Sequence, residues 1–252
     1  MVHAASGYDL ALMGYQPSQD MPAVTGIFVA DVLGGLYANS AIQTALFQRE
    51  RTGLGQRIDT TLIESMLNLL IYEMQFEQQP SEARRPRYGP LQTLDGFVIV
   101  LPINANNFMN LCEAVGHPEW ADDPLFKTPG DRIRNWDQLM ARVQDWTAVR
   151  SVEDCEAVLL GRGVPTSRYQ TIGEAMADPQ LAHRGSLVDV EDAAGTFRVV
   201  NPPFTMSGAV TCVRAHVPGL GEHTEQVLRD TAGFSTARIS ELRGQGGVLF
   251  GA

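Results

Sequence analysis

Two apolar helical segments fall within the first 78 residues with almost no strand sequence beside them, and this feature constrains the fold most. Leu36, Ala38, Ile42, Ala45, Leu46 and Phe47 include spacings of three and four residues, which predict a helix with one buried stripe. It is expected to stop at Arg49-Glu50-Arg51-Thr52-Gly53, where basic residues suit the negative end of the helix dipole and Gly53 can take a left-handed conformation. A second helix, over 60–78, carries Leu62, Met66, Leu69, Leu70 and Met74; apolar on more than one face, it is expected to lie deep. A helix face of this kind must be buried against another layer, and residues 1–78 supply scarcely any sheet to do it. The covering layer is therefore expected from elsewhere, and the apolar faces of residues 27–76 predict association or aggregation when the chain stands alone.

The remainder changes character at Gln78. From there to Pro90, three prolines remove backbone donors and disfavour helix before them, so 78–91 reads as a linker. Thr93 to Leu101 joins the turn dipeptide Asp95-Gly96 to a β-rich run, and Asn104 to Val115 returns to helical spacing. A small α+β domain over 92–168 follows, with helices near 135–149 and from Ser151, where Asp154 stands in a capping-box-like position. Residues 169–252 read as a return segment with a short helix at 174–177, strands at 187–190 and 196–200, and helices opened near Glu222 and Ser235.

Charge and cysteine content exclude several classes. Nineteen basic against 29 acidic residues leave a formal charge of −10, which disfavours nucleic acid and anionic membrane surfaces as partners. No apolar run approaches a membrane span, and Met1 to Ala5 lacks the pattern of a signal peptide, so the chain reads as cytoplasmic. Cys112, Cys155 and Cys212 have neither even number nor metal-ligand spacing and are expected as reduced thiols; no metal site is expected. His117, His183 and His216 read as surface or structural residues, and Trp120, Trp136 and Trp146 as packing of the small domain.

Asp31 is the sharpest chemical candidate. It follows the apolar run Ile27 to Ala30, stands where a helix is expected to begin, and has close by Gly34 and Gly35, which let another molecule approach the backbone and are candidates for substrate or CoA contact. Such a carboxylate can cap the helix or act as a nucleophile near helix N–H groups, and on spacing alone the cap is the commoner role.

Val29-Ala30-Asp31, Gly34-Gly35-Leu36-Tyr37-Ala38 and Arg49 to Asp59 resemble the class III CoA-transferases. The resemblance continues in order through Leu94-Asp95-Gly96, Trp120 to Pro124, Gly163-Val164-Pro165, Asp178-Pro179-Gln180, Pro202-Pro203-Phe204 with Ser207-Gly208, and Leu220 to Thr224. It implies an α/β fold in part: the helical remainder of a large domain over 1–77, the small α+β domain, and a C-terminal return to the large domain. It also implies that Asp31 attacks an acyl-CoA thioester to give a mixed anhydride, that CoA thiolate returns to form an aspartyl-CoA thioester, and that an acceptor carboxylate then takes the CoA. Coenzyme A is thus a substrate, with no permanently bound cofactor, and the chemistry asks for an ionised, desolvated carboxylate and nearby N–H donors for the developing oxyanion.

The departures bear on function. By the resemblance, a Rossmann-like half lies upstream of Met1 in relatives, and full-length members form interlocked homodimers. The chain is then expected either to meet a partner supplying that half or to be an inactive remnant or interaction subunit. Relatives carry Gln where this chain has His3. Arg84, Arg85 and Arg87 occupy the linker, where they can meet CoA phosphates or an acceptor carboxylate, or simply be solvated. α-Methylacyl-CoA racemases share the aspartate but use a small-domain Glu; here that region reads Ile103-Asn104-Ala105-Asn106, and an amide is no base, so Asn104 is a substrate-contact candidate and transfer is favoured over racemisation. His223 lies in a motif expected to cap and order the C-terminal helix rather than touch ligand.

Overall fold

The computed structural model describes residues 1–16, 21–23, 25–80, 86–246 and 248–251. It divides into two compact units, Met1–Tyr169 and Gln170–Ala252.

The first unit opens with α1 (Val2–Ala5) and α2 (Tyr8–Met13), followed by the long α3 (Val29–Thr52). Gly53 ends α3 at φ 75°, its N–H bonding the Arg49 carbonyl at 2.7 Å. The predicted second helix is two, α4 (Leu62–Leu69) and α5 (Ile71–Gln78), divided where Leu70 leaves helical geometry at φ −96°, ψ 28°. Thr61 opens α4 by accepting the Glu64 N–H.

Burial on these helices departs from expectation. On α3 only Ala30 and Gly34 are buried, and the predicted stripe is divided: Leu36 at 59% and Phe47 at 65% exposure face outward with Ile42 and Leu46, while Ala38 and Ala45 are half-buried. The covered face carries small residues instead: Gly34 meets α4 so closely that a Cβ there would stand 2.4 Å from Leu62 Cδ2. α4 and α5 are covered on one side, where Ser65, Met66 and Leu70 are buried, but they do not lie deep throughout, since Ile63, Leu69, Ile71, Met74 and Phe76 are exposed. Spacing identified helical residues, but those with large side chains are not covered by any layer among the described residues.

The small domain has its own core. β1 (Leu91–Gln92), β2 (Phe97–Val100) and β3 (Thr166–Arg168) form an antiparallel sheet in the order β1-β2-β3, with Leu91 opposite Val98 and Val100 opposite Thr166. Alternation along β2 turns Val98 and Val100 inward. Against them pack α6 (Ala105–Val115), a 3₁₀ turn (Pro118–Ala121), α7 (Pro129–Arg134), α8 (Trp136–Thr147) and α9 (Val152–Gly161). Phe108, Leu111, Phe126, Leu139, Val143 and Leu159 are sealed from solvent, Trp120 and Trp136 are buried with them, and Trp146 packs against the cluster.

Two acidic motif residues hold this domain together. Asp95 accepts the Val152 N–H at 2.8 Å and so caps α9 from another element, while Ser151 accepts the Asp154 N–H at the same end. Asp123 accepts the Leu125 N–H and pairs with Arg142, each at 2.9 Å, while the Arg142 guanidinium lies over the Trp120 and Phe126 rings. The Leu125 N–H, then Arg142, hold the Asp123 carboxyl below the usual aspartate range. Its folded pKa being depressed, the unfolded chain binds the proton first, so the stabilisation is complete above about pH 4 and fades as pH falls through the lowered value. Urea melts at stepped pH are expected to show Asp123→Asn flattening the loss of stability below that point; an unchanged slope would refute the role.

The second unit begins with α10 (Ile172–Met176), closed by a Thr171–Glu174 capping box, and α11 (Pro179–His183), capped by Asp178. β4 (Leu187–Asp192) and β5 (Gly195–Val200) form a hairpin whose Asp192 carboxylate accepts the Ala194 and Gly195 N–H groups. A short turn α12 (Thr224–Gln226) runs into π-type geometry over Val227–Thr231 before α13 (Thr236–Gln245), opened by Ser235. The His223 ring, expected to cap this region, makes no capping hydrogen bond; only its carbonyl serves, accepting the Val227 N–H at 2.9 Å. His216 instead bonds Glu222 at 2.9 Å.

Candidate active site

Asp31 is not the N-cap of α3. The helix begins two residues earlier, with Phe28 at the cap position and Asp31 in the first turn. Its side chain is exposed, and no hydrogen bond or ion pair among the described residues engages its carboxylate. The capping role is therefore unfilled by Asp31, and the expected desolvation is not provided within the described residues.

A helix start leaves several N–H groups without intrahelical partners. Here the Val29 N–H bonds the Ile27 carbonyl at 2.9 Å and the Val32 N–H bonds that of Phe28 at 3.2 Å. The Ala30 N–H donates to His3 Nε2 at 3.2 Å, a contact spanning 27 residues. His3 is half-buried, its ring 5.4 Å from that of Tyr8. Sequence reasoning gave His3 no role, because a cap arriving from a distant helix leaves no local pattern.

The glycines divide in role. Gly34 admits Leu62 of the same chain rather than a ligand, whereas a Cβ on Gly35 would meet nothing within 4 Å. Gly35 is thus open on the exposed surface of α3, one turn beyond Asp31.

Asn104 and Arg87 each have partners of their own. Asn104 caps α6, its side-chain oxygen accepting the Asn107 N–H at 2.8 Å, which accounts for it without a substrate. Arg87 pairs with Asp137 at 2.6 Å, and its carbonyl accepts the Trp136 indole N–H at 2.8 Å. Arg84 and Arg85 lie outside the described residues. Arg87 lines a cavity of about 540 Å³ between α2, α5, α7 and α8, with Tyr15, Tyr72, Phe76, Glu73 and Trp136; Asp31 is not on its wall. Among the described residues no cluster of three or more metal-ligating side chains occurs, and no helix is long and apolar enough to cross a membrane.

Comparison with known proteins turns on how much of the chain is matched, and the model of CoA-transferase family III matches residues 1–224. The chain belongs to CoA-transferase family III. It is similar to the formyl-CoA:oxalate CoA-transferase of Afipia carboxidovorans, 27% identical over 266 residues, with 90% of this chain and 61% of that protein covered. A crystal structure of a CaiB/BaiF family protein from Brucella suis is 30% identical with a TM-score of 0.73, covering 91% of this chain and 61% of that one. Rv3272 of Mycobacterium tuberculosis, in its orthorhombic form, shares the fold at 20% identity and a TM-score of 0.72, covering 86% and 60%. The mixed helix and sheet architecture is thus the family III fold in part, and the chain spans about 61% of the length of the curated relatives it matches.

Proposed function

We propose that this chain carries the nucleophile of a CoA transfer between an acyl-CoA and a small carboxylic acid, and that Asp31 is that nucleophile. The observation that carries the reading is an exposed carboxylate in the first turn of α3, engaged by no cap or ion pair among the described residues, in a member of CoA-transferase family III. The Asp31 oxygen attacks the thioester carbonyl, the C–S bond breaks, and a mixed anhydride and CoA thiolate result. The thiolate attacks the Asp31 acyl carbon, releasing the donor acid and leaving an aspartyl-CoA thioester. The acceptor carboxylate repeats the two steps in reverse, giving a new acyl-CoA and restoring Asp31. No net proton is consumed, and the thioester's energy is kept provided water is excluded. Asn104 offers no base for the racemase alternative, since a carboxamide is not basic, and its oxygen serves as the cap of α6.

Water exclusion has to come from an added surface. The outward apolar residues of α3 to α5, with Ile27 and Phe28 beside Asp31, support an assembly with a second copy or a partner chain that covers this face and completes the CoA site. The test uses formyl-CoA and ¹³C-oxalate, the substrates named for the Afipia carboxidovorans relative. They are given to the chain alone and to the chain mixed with the part of that relative it does not span. Labelled oxalyl-CoA, read by mass spectrometry, is expected in the mixture. A folded, associated mixture that exchanges neither oxalate nor a panel of other small acids would overturn the proposal and favour an inactive interaction subunit.

A further inference from the structure

We infer that His3 is a positioning residue for Asp31, holding the first turn of α3 from α1 through the Ala30 N–H. Its consequence for activity rests on the transfer reading above; the contact itself does not.

The starting point is a missing cap. Phe28 occupies the cap position and has no side-chain oxygen to accept a first-turn N–H, the task Ser, Thr, Asp or Asn normally performs. His3 Nε2 takes it over at 3.2 Å. A ring nitrogen accepts an N–H through its lone pair, and Nε2 fills that role here. The tilted contact with Tyr8, at 53° between ring planes, limits rotation of the ring. The acceptor is therefore fixed in place rather than loosely available.

Two effects on Asp31 follow. The Val29–Ala30 peptide is anchored to a separate helix, which constrains the backbone one residue before Asp31 and so where its carboxylate emerges; small errors in that placement cost rate steeply. The bond also takes up a donor one residue from the carboxylate. A carboxylate that accepts backbone N–H groups is stabilised in its ionised form and is correspondingly a weaker nucleophile. With the Ala30 N–H committed to His3, Asp31 keeps its electron pairs for substrate.

The test separates the acceptor from the bulk of the ring. His3→Gln keeps an acceptor within reach, and His3→Leu fills much of the space without one. In hydrogen exchange on the whole chain, the Ala30 amide is expected to exchange about tenfold faster in His3→Leu and close to the wild-type rate in His3→Gln. In the transfer-competent mixture, His3→Leu is expected to lower kcat about tenfold with KM for the acyl-CoA unchanged, and His3→Gln to restore it. If His3→Leu does not fold, His3→Asn, too short to reach, replaces it in the comparison. Equal Ala30 exchange in all variants, or an unchanged kcat where that exchange is accelerated, would overturn the inference. A wild-type mixture without transfer, but with the expected exchange pattern, would remove the transfer reading and leave the His3 contact standing.

Discussion

Asp31→Asn is expected to reduce CoA transfer by the assembled protein about a thousandfold or more, while leaving the fold and the binding of acyl-CoA intact. The amide is nearly the same size as the carboxylate, and the side chain is exposed with no structural partner among the described residues, so the substitution removes nucleophilicity and little else. Loss of a covalent nucleophile removes a whole catalytic route, unlike the loss of one hydrogen bond. The measurement is transfer rate against acyl-CoA concentration, with circular dichroism as the control. An Asn variant within tenfold of wild type would assign the chemistry to another group.

The largest stability effect belongs to the small domain. Phe108 is 1% exposed, packed between β2 and the helices with the Arg132 guanidinium 4.6 Å from its ring centroid. Truncating it removes both the buried ring and that contact, and Phe108→Ala is expected to cost about 3–5 kcal/mol, a large share of the stability of a typical domain. Leu139→Ala, also sealed from solvent, is expected to cost about 2–5 kcal/mol. Phe47→Ala serves as the contrast: its ring is exposed, so its effect on urea unfolding is expected within about 0.5 kcal/mol, and its consequence is on self-association instead. Trp120, Trp136 and Trp146 all lie in or against the small-domain core, so tryptophan fluorescence reads this domain directly. Equal losses for Phe108 and Phe47 would refute the placement of the core.

What could be read from sequence was local. Ser151 and Ser235 accept the N–H three residues on, Gly53 closes α3 in the left-handed region, and the Asp95-Gly96 dipeptide leads into β2, because each feature depends on neighbours a few residues away. The start of α3 was misplaced for the opposite reason. Ile27 to Ala30 looks like an apolar run leading up to a helix, but Val29 and Ala30 are already helical, and the side chain that accepts a first-turn N–H comes from His3, 27 residues away.

The same argument covers the rest of the site. Gly34 suggested room for a visitor, and the visitor is Leu62. Arg87 suggested an anion-binding charge, but its partner is Asp137, 50 residues further on. Asn104 stands in the region where the racemases carry a Glu, and its amide oxygen caps the helix it opens. The apolar stripe of α3 is the most instructive case. Spacing established that Leu36, Phe47 and their neighbours belong to helical faces, but whether those faces are covered depends on what lies against them, and spacing carries no information about that.

Covalent capture tests the assignment of Asp31 most directly. The assembled protein is incubated with acyl-CoA and quenched with hydroxylamine, which attacks an activated acyl carbon and converts it to a hydroxamate. Peptide mass spectrometry is expected to place that modification on Asp31, to find it only when acyl-CoA is present, and to lose it in Asp31→Asn. An assembly that transfers CoA while the peptide containing Asp31 stays unmodified, or that carries the hydroxamate on another carboxylate, would contradict the account.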